Sequence, residues 1–204
     1  MIAITGLMRS GTSPLAQILH QSGVTMGTHQ RFPMQNKWSH FEWEDAALSE
    51  PLCSEIDKPK DPDMPRRLID EYVRVRKRFA KGGPWGVKTP FLLPYLGHLR
   101  DTCEEIDEPL AVVLTERKFD ETIESLRRQL SHLSKFELGA VRTRMFKIQD
   151  VLAEYWQGAS GNAEIFHIAD TLGYPRKVAE RLALLAGVDV DADLAIRGIR
   201  GRGL

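Results

Sequence analysis

The sequence predicts an α/β fold built on a mostly parallel central sheet. Three observations predict it. A short apolar run at residues 2–5 meets Gly6 and passes at once into a helix-period segment. Further short apolar runs at 85–87, 110–114 and 165–168 are each followed by helical periodicity. The run at 2–5 reads as a buried strand, as parallel sheets require. Strands that alternate with helices pair in parallel through right-handed crossovers.

The 204 residues suit a single domain spanning the chain, 1–204. With 28 basic and 28 acidic side chains the chain is formally neutral, which gives no support for a general nucleic-acid binder. Its 42% hydrophobic and 27% charged content argues against a disordered, collagen-like or disulfide-stapled chain. Cys53 and Cys103 fit neither a C-x-x-C motif nor a zinc spacing, so two thiols in a reducing compartment are expected. Met1 to Gly6 lacks the basic and apolar regions of a signal peptide. No apolar run reaches the ~20 residues of a membrane span, so a cytoplasmic location is expected.

In chain order, the strand at 2–5 leads into a helix from Thr12 to Gln21, with Leu15, Ile18 and Leu19 on one face and Gly23 and Gly27 at its end. Residues 28–40 are polar and aromatic without a period and read as a loop. Phe41 to Leu52 reads as a short helix stopped by Pro51. Pro59, Pro62 and Pro65 make 58–65 irregular. A charged helix follows from Arg66 to Lys81, with Leu68, Tyr72, Val75 and Phe79 as its apolar stripe. Gly82-Gly-Pro84 ends it. Trp85 to Val87 is a second strand, and Pro90 to Arg100 a helix opened by its proline. Leu110 to Leu114 is the clearest strand, with Val112 and Val113 at its centre. Helices follow at about Phe119 to Leu130 and Lys135 to Trp156. Ile165 to Ile168 is a fourth strand and Pro175 to Ala186 a last helix. The tail 195–204 is Gly/Arg-rich and aperiodic.

The chemistry-bearing segment is Gly6-Leu-Met-Arg-Ser-Gly-Thr-Ser13, between the first strand and the first helix. Its glycines permit a compact turn that aims the amides of Ser10, Gly11, Thr12 and Ser13 inward at a helix N-terminus, which favours an anion. The glycines match the Walker pattern, but Thr12 stands where that pattern needs lysine, and the nearest cation is Arg9. No apolar strand ends in an obvious metal-binding aspartate.

Thr5-Gly-Leu-Met-Arg-Ser-Gly-Thr-Ser13 resembles the 5′-phosphosulfate loop of sulfotransferases that use 3′-phosphoadenylyl sulfate, which reads roughly P-[KR]-S-G-[ST]-[ST]. Arg9 falls on its basic position and Met8 replaces its proline. Val112-Val-Leu-Thr-Glu-Arg117 followed by Ser125, eight positions on, resembles the family's 3′-phosphate site. There an arginine forks onto the phosphate and a serine hydroxyl adds a donor. Trp85-Gly-Val-Lys-Thr-Pro90 is similar to the K-T-P segment of the bacterial and Golgi branch, which puts Lys88 at a strand end near the loop. The resemblance spans residues 2–131. It implies a P-loop-type three-layer α/β/α sandwich and a sulfotransferase moving a sulfuryl group from 3′-phosphoadenylyl sulfate to a hydroxyl or amine acceptor, with adenosine 3′,5′-bisphosphate as product.

The family's chemistry is an in-line displacement in which the protein positions reactants and stabilises charge on the departing oxygen. Arg9, the loop amides and Thr12 would do so, with Lys88 helping; no metal is required. An acceptor hydroxyl also needs a base. The histidine of the cytosolic K-T-H-L-P segment is absent, because Thr89-Pro90-Phe91 stands there. Ser39-His-Phe-Glu-Trp-Glu-Asp45 instead resembles the bacterial G-[FY]-[FW]-E-D segment, which makes Glu44 the first candidate base, then Glu42 and His40. A carboxylate beside Trp38 or Trp43 would have a raised pKa. The tryptophan that stacks on adenine in cytosolic members is Pro14 here, so the adenine platform is unassigned. Arg197, Arg200 and Arg202, each before a glycine, loosely resemble the C-terminal R-K-G segment that contacts the 3′-phosphate; Arg200 is the candidate.

Two other classes stay open: a P-loop nucleotide kinase or NTPase using Arg9 for lysine, and a non-catalytic nucleotide-binding module of the same fold. Binding of ATP with Mg²⁺ separates the first, and carboxylates facing away from the sulfur favour the second. The expected partner is a small-molecule or carbohydrate acceptor, with no nucleic acid and no membrane span. Residues 28–65 would shape its pocket, with Trp38, Phe41 and Trp43 as walls.

Overall fold

The computed structural model describes residues 1–26, 45–57, 60–129, 139, 143, 145–147, 150, 163–189 and 193. Among them are five strands: β1 (Ile2–Gly6), β2 (Thr25–Met26), β3 (Trp85–Lys88), β4 (Ala111–Glu116) and β5 (Ala163–His167). They form one sheet in the order β2-β3-β1-β4-β5, and every neighbouring pair is parallel. Among the described residues the continuous helices are α1 (Thr12–Gln21), α2 (Ala46–Asp57), α3 (Met64–Ala80), α4 (Leu96–Glu105), α5 (Phe119–Gln129), α6 (Ile168–Gly173) and α7 (Pro175–Ala186). A 3₁₀ segment, Pro90–Tyr95, leads into α4.

Side chains alternate across the sheet and divide the core into two clusters. Ile2 and Ile4 of β1 join Ala111 and Val113 of β4 and Phe166 of β5 under α1 and α7. Ala3, Val87, Val112 and Leu114 face the other way, under α2, α3, α4 and α5. Helices thus cover both faces, which is the three-layer α/β/α arrangement the sequence predicts and the reason the central strands are mostly apolar.

The strand order fixes where a ligand can sit. After β1 the chain turns towards β2 on one side of the sheet, and after β4 it turns towards β5 on the other. Adjacent parallel strands whose connections leave in opposite directions open a crevice beyond their carboxyl ends. That crevice lies between β1 and β4.

Several elements differ from expectation. The helix expected to stop at Pro51 begins at Ala46 and runs through Pro51 to Asp57. Asp45 accepts the Ala47 amide at 3.1 Å, and the buried face of Leu48, Leu52 and Ile56 holds the helix together across the lost backbone bond. Pro65 does not break structure but occupies the first turn of α3. On α3 the covered residues are Ile69, Tyr72 and Val73, whereas Val75 and Phe79 are exposed. The two-residue β2 was not expected, Ile168 opens α6 instead of closing β5, and the Pro90 helix divides into the 3₁₀ segment and α4. The described residues of the helix expected at 135–156 are helical. The loop expected at 28–40 lies outside the described residues. Cys53 and Cys103 are buried and not in a disulfide, and burial pushes the Cys103 thiol up to about 11. No helix among the described residues is long and apolar enough to cross a membrane.

Glu108 ties the amino end of the sheet together. Its carboxylate accepts from the Met1 ammonium at 2.9 Å and Trp85 Nε1 at 3.1 Å, and pairs with Lys77 at 3.1 Å. Burial alone would raise its pKa, but the Met1 and Lys77 hydrogen bonds outweigh burial and hold it below the ordinary carboxylate value. A carboxylate with a depressed folded pKa stabilises above its unfolded pKa, and that contribution fades as pH falls through the folded value. Glu108→Gln should therefore cost about 1–3 kcal/mol at neutral pH, and the gap to wild type should close below about pH 4. Urea unfolding across that pH range checks it.

Candidate functional site

The site begins where β1 ends. Gly6 has φ +147°, and a Cβ there would meet Thr115 Oγ1, the Thr115 carbonyl oxygen at 2.5 Å and Ser10 Oγ at 3.1 Å. Gly6 and Thr115 are register partners on β1 and β4, so only glycine lets the strands approach this closely while the chain turns. The Ser10 amide donates to the Leu7 carbonyl at 3.1 Å and its hydroxyl to the same oxygen at 2.5 Å. The Ser10 and Thr115 hydroxyls are also in contact, so β4 braces the loop.

Two left-handed residues shape the rest of the turn, Arg9 at φ +67° and Gly11 at φ +103°. Alternating left- and right-handed residues aim successive amides into one concavity. Gly11 has no side chain with which to cap α1, and an uncapped helix N-terminus favours an anion. A Cβ on Gly11 would strike Ile168 Cδ1, so the start of α6 closes the loop from the β5 side. Thr12, the first residue of α1, is buried, and Ser13 follows it.

The second half comes from β4 and α5. Arg9 Nε donates to Ser125 Oγ at 3.3 Å. Arg117 Nη1 donates to the Arg9 carbonyl at 3.5 Å, and its Nε pairs with Glu121 at 3.4 Å. Ser125, expected from sequence as a helix residue near Arg117, is buried and meets Arg117 through Arg9. Burial pushes the Arg9 guanidinium below its ordinary pKa, and Arg117 and then Arg128 push the same way. The crevice is a place of converging positive charge.

Lys88 is 2% exposed at the carboxyl end of β3, in register with Ile4. It therefore shares the face of Ile4 and α1. The Thr89 amide donates to the Ile4 carbonyl at 3.1 Å, and Thr89 Oγ1 caps the 3₁₀ segment by accepting from Phe91. The K-T-P segment is thereby locked beside β1.

His40, Glu42, Glu44, Trp38, Phe41 and Trp43 lie outside the described residues, as do Arg197, Arg200 and Arg202. The segment carrying the two glutamates runs into Asp45, which is buried, caps α2 and accepts from the Tyr72 hydroxyl at 3.0 Å. Burial, then the Asp45 charge, raises the Tyr72 pKa, so the hydroxyl stays a donor.

Three residues here escape the sequence reading. Thr115 was signalled only as the polar residue closing an apolar strand, Ile168 by nothing in its own segment, and Arg128 by its spacing from Ser125. A depression of about 260 Å³ lined by Met1, Trp85, Glu108 and Leu185 opens at the other end of the sheet, where Glu108 is already engaged.

No family model and no curated protein matches the chain. Among solved structures the chain is similar to the sulfotransferase STF9 from Mycobacterium avium, at 12% identity with a TM-score of 0.61, over 99% of this chain and 67% of that one. This likeness shows a sulfotransferase-like α/β/α fold.

The turn geometry can be tested without a ligand. Gly6→Ala and Gly23→Ala both put a side chain at positive φ, but nothing lies within 4 Å of Gly23. Gly6→Ala should cost at least about 2 kcal/mol more than Gly23→Ala in urea unfolding, because it adds a backbone clash to the shared strain.

Proposed function

We propose that the chain transfers the sulfuryl group of 3′-phosphoadenylyl sulfate to a hydroxyl or amine acceptor. The observation that carries this reading is the Arg9 bridge. Arg9 leaves the phosphate loop and donates to Ser125, while Arg117 donates back to the Arg9 carbonyl. The two segments that resemble 5′- and 3′-anion elements are thus parts of one crevice. A nucleotide phosphorylated at both positions carries two anions on one ribose, which suits two adjoining anion seats. The glycine-lined turn and the cationic cluster fit such a ligand, and the sulfotransferase-like fold supports the same reading.

The bound nucleotide supplies an activated sulfuryl group and a stable leaving anion. The amides of Ser10, Gly11, Thr12 and Ser13 would hold its 5′ end, with the Thr12 hydroxyl beside them. Arg117 and Ser125 would hold its 3′-phosphate, with Arg200 reaching from the tail. Arg9 lies between both ends, so its charge would offset the negative charge that grows on the departing oxygen. Lys88, buried on the same face as Ile4 and α1, adds a second cation to that task. Glu44 would take the acceptor's proton, with Glu42 and His40 as its alternates. Trp38, Phe41 and Trp43 suit a carbohydrate, phenol or lipid acceptor.

Calorimetric titration with adenosine 3′,5′-bisphosphate, beside ATP with Mg²⁺, tests the reading. Wild type should bind the bisphosphate and respond little to ATP, and Arg117→Ala should weaken the bisphosphate about tenfold or more. Glu44→Gln should keep that affinity while sulfuryl transfer falls roughly 10²–10⁴-fold. Binding of ATP without binding of the bisphosphate would move the protein to the P-loop kinases.

A further inference from the structure

We infer that Arg128 is the outer arm of the 3′-phosphate seat and the residue by which this site selects a 3′-phosphorylated nucleotide over its 3′-hydroxyl counterpart; the inference rests on the sulfotransferase reading above. Arg128 lies three positions beyond Ser125 on α5, and residues so spaced share one helix face. Ser125 is the residue that Arg9 Nε reaches at 3.3 Å, so this face of α5 borders the crevice. Arg127 is two positions from Ser125, on the opposite side of the helix, where it pairs with Glu124 at 3.9 Å. Of the two adjacent arginines, only Arg128 belongs to the crevice.

The charges explain what Arg128 is for. Arg9, Arg117 and Arg128 are close enough for the last two to weigh on the first. Glu121 pairs with Arg117 and Glu124 with Arg127, and the Glu116 carboxylate lies 3.2 Å from His167 Nδ1. Among the described residues no carboxylate pairs with Arg9 or Arg128. Three guanidiniums with Glu121 as the one carboxylate paired to them among the described residues repel one another, and a dianion relieves that repulsion when it binds. A phosphate monoester carries about −1.5 to −2 at neutral pH. Arg9 is shared between the two seats, and Arg117 is half committed to Glu121. The 3′ seat therefore lacks one full cation from these two residues, and Arg128 supplies it from the solvent side. Being exposed, it can swing onto the anion without opening the core.

The test compares adenosine 3′,5′-bisphosphate with adenosine 5′-monophosphate, by calorimetry on the full chain at fixed ionic strength. Three proteins are used: wild type, Arg128→Ala and Arg127→Ala. Both substitutions are exposed positions on one helix turn, so both variants should fold. Arg128→Ala should weaken the bisphosphate about tenfold, leave the monophosphate unchanged, and so erase most of the preference for the 3′-phosphate. Arg127→Ala should change neither. Equal losses from both variants would reduce Arg128 to a contributor to the general field and overturn the inference. No loss from Arg128→Ala, with wild type still preferring the bisphosphate, would overturn it while leaving the sulfotransferase reading in place. Wild type that does not prefer the bisphosphate to the monophosphate would sink the reading and the inference together.

Discussion

The close approach of Gly6 and Thr115 sets the rest of the site. β1 and β4 are central parallel strands whose connections diverge, and a Cβ at Gly6 would leave only 2.5 Å to the Thr115 carbonyl. The chain must turn away at Gly6, and the Ser10 hydroxyl then meets Thr115 from above. That contact carries Arg9 over the β1–β4 boundary in a left-handed conformation, towards α5. Glycine at 6, a hydroxyl at 10, a hydroxyl at 115 and the arginine at 9 form one chain of dependence. Loss of the first would unseat the others.

Electrostatics then decides what the crevice can hold. Gathering a half-buried guanidinium with two others is unfavourable, and burial adds to the cost. A bound anion would offset it. The loop amides and the N-terminus of α1, where Gly11 offers no side-chain cap, point the same way, since both stabilise negative charge. The amino end of the sheet has the opposite character. There Glu108 is surrounded by its own cations and donors, so its charge is already met within the protein.

The fold was legible where the signal is local. The Gly-loop between strand and helix, the apolar run at 110–114 and the helix opened by Pro175 all carry their own punctuation. What escaped was decided by tertiary contact. A two-residue strand such as β2 has no period to read. α3 offers two apolar stripes, and spacing cannot say that Ile69 and Val73 are covered while Phe79 is not. Pro51 reads as a stop until the packing of Leu48, Leu52 and Ile56 is known. At the candidate site, motif order named Arg9, Arg117 and Ser125 as candidates, but the bond joining two of them spans 116 positions and has no sequence signature. Thr115 and Ile168 shape the loop from β4 and α6. Their roles follow from strand register and helix placement, neither of which their own neighbours reveal.

If the Gly6–Ser13 loop and the β4 exit act as one site through Arg9, a double-mutant cycle between Arg9→Ala and Ser125→Ala, read on the dissociation constant for adenosine 3′,5′-bisphosphate, shows clear non-additivity, on the order of 1 kcal/mol or more, because either change alone already breaks the bridge. Additive losses would mean two independent anion contacts with no bridge between them.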